Sequence, residues 1–174
     1  MPRPIKRSVL VLGGARSGKS AYAESLLTRA PLLYLATSEA GDTEMTTRIR
    51  QHRDRRGPHW ITVEEPLDLV DALNRHRAGF TGILVDCVTL WLSNLMLAGR
   101  DVQAELNALC AAVPTSTVPV VFVSNELGMG LVPETPLGRE FRDWQGIANQ
   151  QLAKVCPRVV FVAAGLPLVL KDEK

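Results

Sequence analysis

Short runs of consecutive apolar residues alternate along this chain with longer segments whose apolar positions recur every three or four residues. The runs Ser8–Leu12, Leu32–Ala36, Gly82–Asp86, Val118–Val123 and Arg158–Ala163 are almost unbroken by polar side chains. Such continuity is what a strand covered on both faces requires. Leu166–Leu170 reads as one more strand, at an edge. Helical patterns fall at 19–29, 42–56, 66–76, 88–98, 101–112 and 137–154. Alternation of strand and helix predicts an α/β fold: a mostly parallel central sheet between helical layers, joined by right-handed crossovers. Neither an internal repeat nor a low-complexity tract interrupts it. Pro114-Thr115-Ser116-Thr117 reads as a loop between a helix and a strand, so residues 1–174 are expected to form a single domain.

The first apolar run leads directly into Gly13-Gly14-Ala15-Arg16-Ser17-Gly18-Lys19-Ser20. This is the Gly-x4-Gly-Lys-Ser phosphate-loop pattern, set between a buried strand and a helix as the motif demands. Its glycines let the backbone curl so that successive N–H groups face a polyphosphate, and the following helix adds the positive end of its dipole. Lys19 can reach the β- and γ-phosphates, and the Ser20 hydroxyl can ligate magnesium. The expected architecture is therefore a three-layer sandwich of the P-loop NTPase type, and the expected ligand is a nucleotide.

Further candidates stand at the ends of other strands, where ligands of open parallel sheets bind. Asp86 closes Ile83-Leu84-Val85-Asp86 and can join Ser20 in positioning a magnesium shell. Thr37 and Ser38 follow Tyr34-Leu35-Ala36; their hydroxyls either face the nucleotide or cap the next helix. Asn125 and Glu126 open the glycine- and proline-containing loop 124–134, which either meets substrate or serves as a structural turn. In the basic segment Arg48-Ile49-Arg50-Gln51-His52-Arg53-Asp54-Arg55-Arg56, a helix would set Arg48, His52, Arg55 and Arg56 on one face. That face is either a solvated surface or the seat of an anion such as a triphosphate. Surrounding cations would favour neutral His52, and a neutral imidazole can accept a phosphoryl or nucleotidyl group. His59 and His76 lack such a setting and read as surface or loop residues.

Composition narrows the choice of partners. The 174 residues are 46% hydrophobic and 22% charged with a net charge of +2, which gives no reason to expect nucleic acid or an anionic membrane. The segment 48–56 also lacks interleaved aromatic residues. Three cysteines without C-x-x-C spacing argue against a disulfide framework or zinc site; Cys87 and Cys110 sit in apolar contexts and read as core. No apolar run reaches the ~20 residues that span a bilayer. The basic start, Met1–Arg7, reads as a short lead-in to the first strand and not as a signal peptide. A cytoplasmic location is expected.

Taken together, these motifs resemble the bifunctional adenosylcobinamide kinase/adenosylcobinamide-phosphate guanylyltransferases of cobalamin biosynthesis. The resemblance runs from about Val9 to Leu170. Beyond the phosphate loop it is carried by Tyr-Leu-Ala-Thr-Ser at 34–38, Arg48-Ile49-x-x-His52-Arg53, His59-Trp60-x-Thr62-x-Glu64 and Val85-Asp86-Cys87-x-Thr89-x-Trp91-x-x-Asn94. It continues through Ser-Asn-Glu-x-Gly-x-Gly at 124–130, Val132-Pro133 and Phe141-Arg142-Asp143-x-x-Gly146-x-x-Asn149-Gln150. The resemblance implies two reactions: phosphorylation of adenosylcobinamide by ATP or GTP, then transfer of GMP from GTP through a histidine-GMP intermediate on His52. It also implies that Ala36, Thr37, Ser38, Arg53, Asp54, Arg55, Arg56, Glu64 and Asp86 contact nucleotide with the loop 13–20, Glu64 meeting the guanine edge or ribose hydroxyls. Magnesium, a corrinoid substrate and a homotrimer complete what it implies. Some relatives carry a second histidine just before the nucleophile, and Gln51 stands there in this chain. The residues alone leave a second reading, a monofunctional P-loop small-molecule kinase.

Overall fold

The computed structural model describes residues 7–38 and 57–173. Among them, seven strands form one sheet in the order β3-β2-β4-β5-β1-β6-β7. The strands are β1 Val9–Gly13, β2 Leu32–Ala36, β3 Trp60–Glu64, β4 Gly82–Asp86, β5 Val120–Asn125, β6 Arg158–Ala163 and β7 Leu166–Asp172. All neighbours pair in parallel except β6 and β7, an antiparallel hairpin at the edge. The helices are α1 Lys19–Ser25, α2 Leu69–His76, α3 Val88–Leu97, α4 Val102–Ala112 and α5 Pro136–Val155.

Alternate residues of the central strands feed two separate cores. Leu10, Leu12, Leu33, Leu35, Ile83, Val85 and Phe122 point to one face, where α2, α3, α4 and α5 cover them. Val9, Val11, Leu32, Tyr34, Leu84, Val121 and Val123 point to the other, where Ala23 of α1 and Leu26 and Leu27 beyond it pack. Burial on both faces explains why these strands read as unbroken apolar runs. Polar side chains cap the amino ends of α4 and α5. Asp101 Oδ1 accepts the Ala104 N–H at 3.0 Å, and Thr135 Oγ1 accepts the Gly138 N–H at 3.1 Å ahead of Pro136 in the first turn.

Several elements differ from the sequence expectation. Trp60–Glu64 is a strand that hydrophobic continuity did not predict, because as the β3 edge it exposes or half-exposes every residue. The first helix ends at Ser25 instead of residue 29; the chain turns there, and Leu26 and Leu27 are buried beyond the helix. β1 and β5 run on to Gly13 and Asn125, one and two residues past their expected ends, and β7 runs on to Asp172. The helix expected at 42–56 lies outside the described residues. His76 is not a loop residue: it closes α2, half-buried, with its ring 6.3 Å from that of Phe80. His59 is exposed as expected.

The three thiols are free. Burial, with the Asp86 carboxylate second, pushes the Cys87 thiol up to about 12; burial, with Cys110 second, does the same to Cys156. Burial also raises Cys110. A thiol whose folded value lies above its unfolded one stabilises the fold fully below the unfolded value of 9.0, and that contribution is lost as pH rises toward 12. The expected outcome at pH 8 is that a thiol reagent modifies native protein at Cys110 first, while Cys87 and Cys156 react only after denaturation. Mass mapping of the labelled sites checks this, and prompt native modification of Cys87 would refute the burial assignment.

Candidate functional site

Parallel pairing brings the candidate residues to one edge of the sheet. Ala36 is the register partner of both Glu64 and Asp86, and Gly13 is the partner of Asn125. The carboxyl ends of β3, β2, β4, β5 and β1 thus present Glu64, Ala36, Asp86, Asn125 and the start of the phosphate loop in spatial order. Neighbouring strands lie about 4.8 Å apart.

The loop 13–20 is shaped by its glycines and braced from both sides. A Cβ on Gly13 would lie 2.5 Å from the Val162 carbonyl oxygen and 2.6 Å from Ser17 Oγ, so no side chain fits. Gly18 has φ +93° and Arg16 has φ +56°, the left-handed turns that curl the backbone. From β5, the Glu126 N–H donates to the Gly13 carbonyl at 3.2 Å. From the turn between β6 and β7, the Gly165 N–H donates to the Ser17 carbonyl at 2.8 Å, and a Cβ on Gly18 would come within 3.1 Å of Gly165 Cα. Lys19 Nζ donates to the Gly14 carbonyl at 3.2 Å, folding the ammonium across the mouth of its own loop. No side chain caps the amino end of α1. Ala15, Arg16 and Gly18 are exposed, whereas Ser17 is buried and its Oγ has no hydrogen-bond partner among the described residues.

Asp86 is half-buried, and its Oδ2 accepts the Tyr34 hydroxyl at 2.9 Å. From sequence no role falls to Tyr34, which is hidden in an apolar run; its position two residues before Ala36, on the same face of β2, is the signal that could have found it. The Thr37 hydroxyl is engaged within the fold. It is fully buried, donates to the Cys87 carbonyl at 2.7 Å and accepts the Cys87 N–H at 2.8 Å, clamping the end of β2 to the start of α3. Asn94 Nδ2 reinforces the clamp by donating to the Thr37 and Pro66 carbonyls at 2.7 and 3.1 Å. Ser38 is half-buried and Glu64 exposed. The Glu126 carboxylate turns back on its own loop, Oε1 accepting the Gly128 N–H at 2.7 Å. Cys87 Sγ accepts the Leu90 N–H at 3.5 Å as the cap of α3. His52 and Arg53, Asp54, Arg55 and Arg56 lie outside the described residues.

The chain matches the family described as cobinamide kinase / cobinamide phosphate guanyltransferase over residues 9–170. It is 45% identical over 168 residues to the bifunctional adenosylcobalamin biosynthesis protein CobP of Pseudomonas aeruginosa, covering 94% of this chain and 97% of that protein. It is 40% identical over 179 residues to the bifunctional adenosylcobalamin biosynthesis protein CobU of Salmonella typhimurium, covering 94% and 99%. Among solved structures, the fold is similar to a KaiC-like protein of Pyrococcus horikoshii, with a TM-score of 0.54, 12% identity and coverage of 89% and 70%. It is also similar to the P4 protein of bacteriophage phi6 in complex with ADP, with a TM-score of 0.51, 17% identity and coverage of 94% and 57%. These structural likenesses bear out the P-loop NTPase fold expected from the phosphate loop.

The Thr37 clamp is testable. Thr37→Val keeps the volume and removes the hydroxyl, orphaning the Cys87 N–H, while the Cys87 carbonyl keeps the Trp91 N–H at 3.2 Å. Orphaned buried groups cost about 1–3 kcal/mol each. Urea unfolding should show Thr37→Val destabilised by about 1–3 kcal/mol and Thr37→Ser close to wild type. Equal stability of all three proteins would refute the clamp.

Proposed function

The chain belongs to the cobinamide kinase / cobinamide phosphate guanyltransferase family, bifunctional transferases of cobalamin biosynthesis, and from that premise we propose how this sheet edge serves both reactions. The observation that carries the reading is the twice-braced phosphate loop lying in one row with Asp86, Ala36 and Glu64.

In the kinase half, ATP or GTP lies on the loop 13–20 and Lys19 leaves the Gly14 carbonyl for the β- and γ-phosphates. The acceptor hydroxyl of the corrinoid bonds to the γ-phosphorus, the bond to the β,γ-bridging oxygen breaks, and the nucleoside diphosphate departs. Lys19 offsets the charge that develops on the transferred group. A hydroxyl and a carboxylate suit magnesium, which takes one or two protein oxygens and completes its shell with phosphate and water. Ser20 and Asp86 would hold it, Tyr34 fixing the carboxylate through Oδ2. The metal would supply neutralising charge at the phosphates.

In the transferase half, His52 attacks the α-phosphorus of GTP and pyrophosphate leaves. The phosphate of the phosphorylated corrinoid then attacks the same phosphorus, the P–N bond breaks, and the imidazole is regenerated. The covalent relay divides one displacement into two. Arg53, Asp54, Arg55 and Arg56 serve the same nucleotide, with Glu64 on the guanine edge or ribose and Ala36 and Ser38 beside it. Since its hydroxyl is committed to Cys87, Thr37 serves by shaping the strand end. Exposed Met129, Leu131 and Val132, in the loop that begins at Glu126, suit the apolar body of a corrinoid.

One domain carries both steps, the working assembly is a homotrimer, and the location is cytoplasmic. Three free thiols fit a reducing compartment. Among the described residues no helix is long and apolar enough to cross a membrane.

Incubation with GTP labelled at the α-phosphate should leave an acid-labile label on denatured protein that is absent from His52→Ala. No label on wild type would leave only the kinase half of this mechanism. Lys19→Ala should lower phosphoryl transfer by 100-fold or more, measured as nucleoside diphosphate release dependent on cobinamide. Turnover near wild type would overturn the role of the loop.

A further inference from the structure

Beneath the carboxyl end of β5 lies a connected set of uncharged polar side chains. Gln145 and Asn149, one turn apart on α5, are 1% and 6% exposed, and Ser124 is fully buried. Gln145 Nε2 donates to Ser124 Oγ at 2.8 Å and to Asn149 Oδ1 at 3.1 Å, and Ser124 Oγ donates to Asn149 Oδ1 at 2.7 Å. Everything in this network leads to the backbone of Asn125. Asn149 Nδ2 donates to the Asn125 carbonyl at 3.0 Å, and the Asn125 N–H donates to Thr89 Oγ1 at 2.8 Å. One residue on, Glu126 braces Gly13. Both main-chain groups of Asn125 are thus fixed while its Oδ1, shielded from solvent, has no partner among the described residues. Gln145 Oε1 in the same network is likewise unpaired among the described residues, so these acceptor oxygens alone do not define the role of Asn125.

Position defines that role. β5 is the strand between β4, which ends in Asp86, and β1, which runs into the phosphate loop. Asn125 extends two residues beyond the partner of Asp86, since Asp86 pairs with Val123. A carboxamide there stands between the Asp86 carboxylate and the loop, and the residue is only half-buried, open to a triphosphate that the loop would hold.

We propose that Asn125, held by the Gln145–Ser124–Asn149 network, is the group that positions the γ-phosphoryl during transfer to the corrinoid hydroxyl. Its amide donates a hydrogen bond to a γ-phosphoryl oxygen. As the acceptor oxygen bonds to phosphorus, the bond to the bridging oxygen breaks and its electron pair leaves with the nucleoside diphosphate. The hydroxyl proton passes to a phosphate oxygen and then to solvent. The amide aligns the moving group and neither gains nor loses a proton. The assignment rests on the bifunctional reading, and that reading supplies the control: guanylyl transfer makes and breaks its bonds at the α-phosphorus.

The test compares the two halves in full-length enzyme. Kinase turnover is measured with cobinamide, and guanylyl transfer with cobinamide phosphate supplied directly. Asn125→Ala should lower kinase kcat about 10- to 100-fold, as loss of a charge-assisted hydrogen bond in the transition state does, with nucleotide KM changed far less. Guanylyl transfer should fall much less, so the ratio of the two activities shifts at least tenfold. Asn125→Asp keeps the shape and replaces the donor by an anion, and it should lose kinase turnover at least as severely with a native-like melting temperature. A parallel fall of both activities would make Asn125 a structural residue and overturn the proposal. So would kinase turnover near wild type in either variant. Failure of the underlying reading looks different: wild-type enzyme, or Lys19→Ala against it, would then give the wrong result before Asn125 is touched.

Discussion

Parallel strand pairing is the constraint from which the site follows. In a parallel ladder every strand runs the same way, so every carboxyl end must fall on one edge. Here the register fixes more than the edge. Ala36 stands level with Glu64 on one side and Asp86 on the other, and Gly13 stands level with Asn125. Residues separated by up to 112 positions in the chain are thereby set in a row with a spacing of about 4.8 Å between strands. The two apolar cores hold that row rigid because each central strand is packed on both faces. The antiparallel hairpin at the far edge adds its own contribution, since its turn at Ala164 and Gly165, both with positive φ, brings an N–H to the Ser17 carbonyl.

Much of what the sequence offers as binding chemistry is used to build this edge. Thr37, Asn94, Thr89 and Glu126 all have side chains that hydrogen-bond backbone groups at strand or loop ends. Trp91 does likewise, its Nε1 donating to the Leu67 carbonyl at 2.8 Å. The reason is general. A strand that stops at a functional edge leaves backbone groups without ladder partners, and buried backbone groups demand partners. Side chains of α3, entering from one core, meet that demand without covering the edge with further backbone.

The elements that were legible in the sequence are those for which burial and spacing agree. β2 and β4 read correctly because continuous apolar runs have few alternatives between glycine, proline and polar punctuation. The phosphate loop read correctly because its spacing is a geometric requirement of the curl. β3 was not legible, since Trp60-Ile61-Thr62-Val63-Glu64 is an edge strand with no residue fully buried, and five residues of partial burial leave a weak pattern. The hydroxyl of Thr37 was legible as chemistry but not as architecture: its partner, Cys87, lies 50 residues away, and only the fold brings the two together. Gln145 and Asn149 carried a signal of a different kind. They fall four apart on α5 beside Ala148 and Leu152, all buried, and polar residues on the core face of an amphipathic helix are informative because an apolar residue would cost less.

That the network on α5 is made of amides and a hydroxyl has an electrostatic consequence. Three carboxylates, Glu64, Asp86 and Glu126, already stand at this edge, and a triphosphate would bring several negative charges more. A further buried carboxylate beside the loop would repel the ligand through a medium that screens poorly. A buried ammonium or guanidinium would attract it, yet would bear a desolvation penalty in the empty protein that only ligand could offset. Neutral amides avoid both costs, because they hold strand ends through directed hydrogen bonds and add no net charge. The mobile cation is then left to the loop itself, where Lys19 waits on the Gly14 carbonyl. Cys87, between the carboxylate and α3, completes the pattern: with its thiol pushed up to about 12, it too stays neutral. Among the described residues, the amides, hydroxyls and thiol that hold these strand ends are thus polar but uncharged, and the one carboxylate that joins them is Glu126, on the Gly128 N–H.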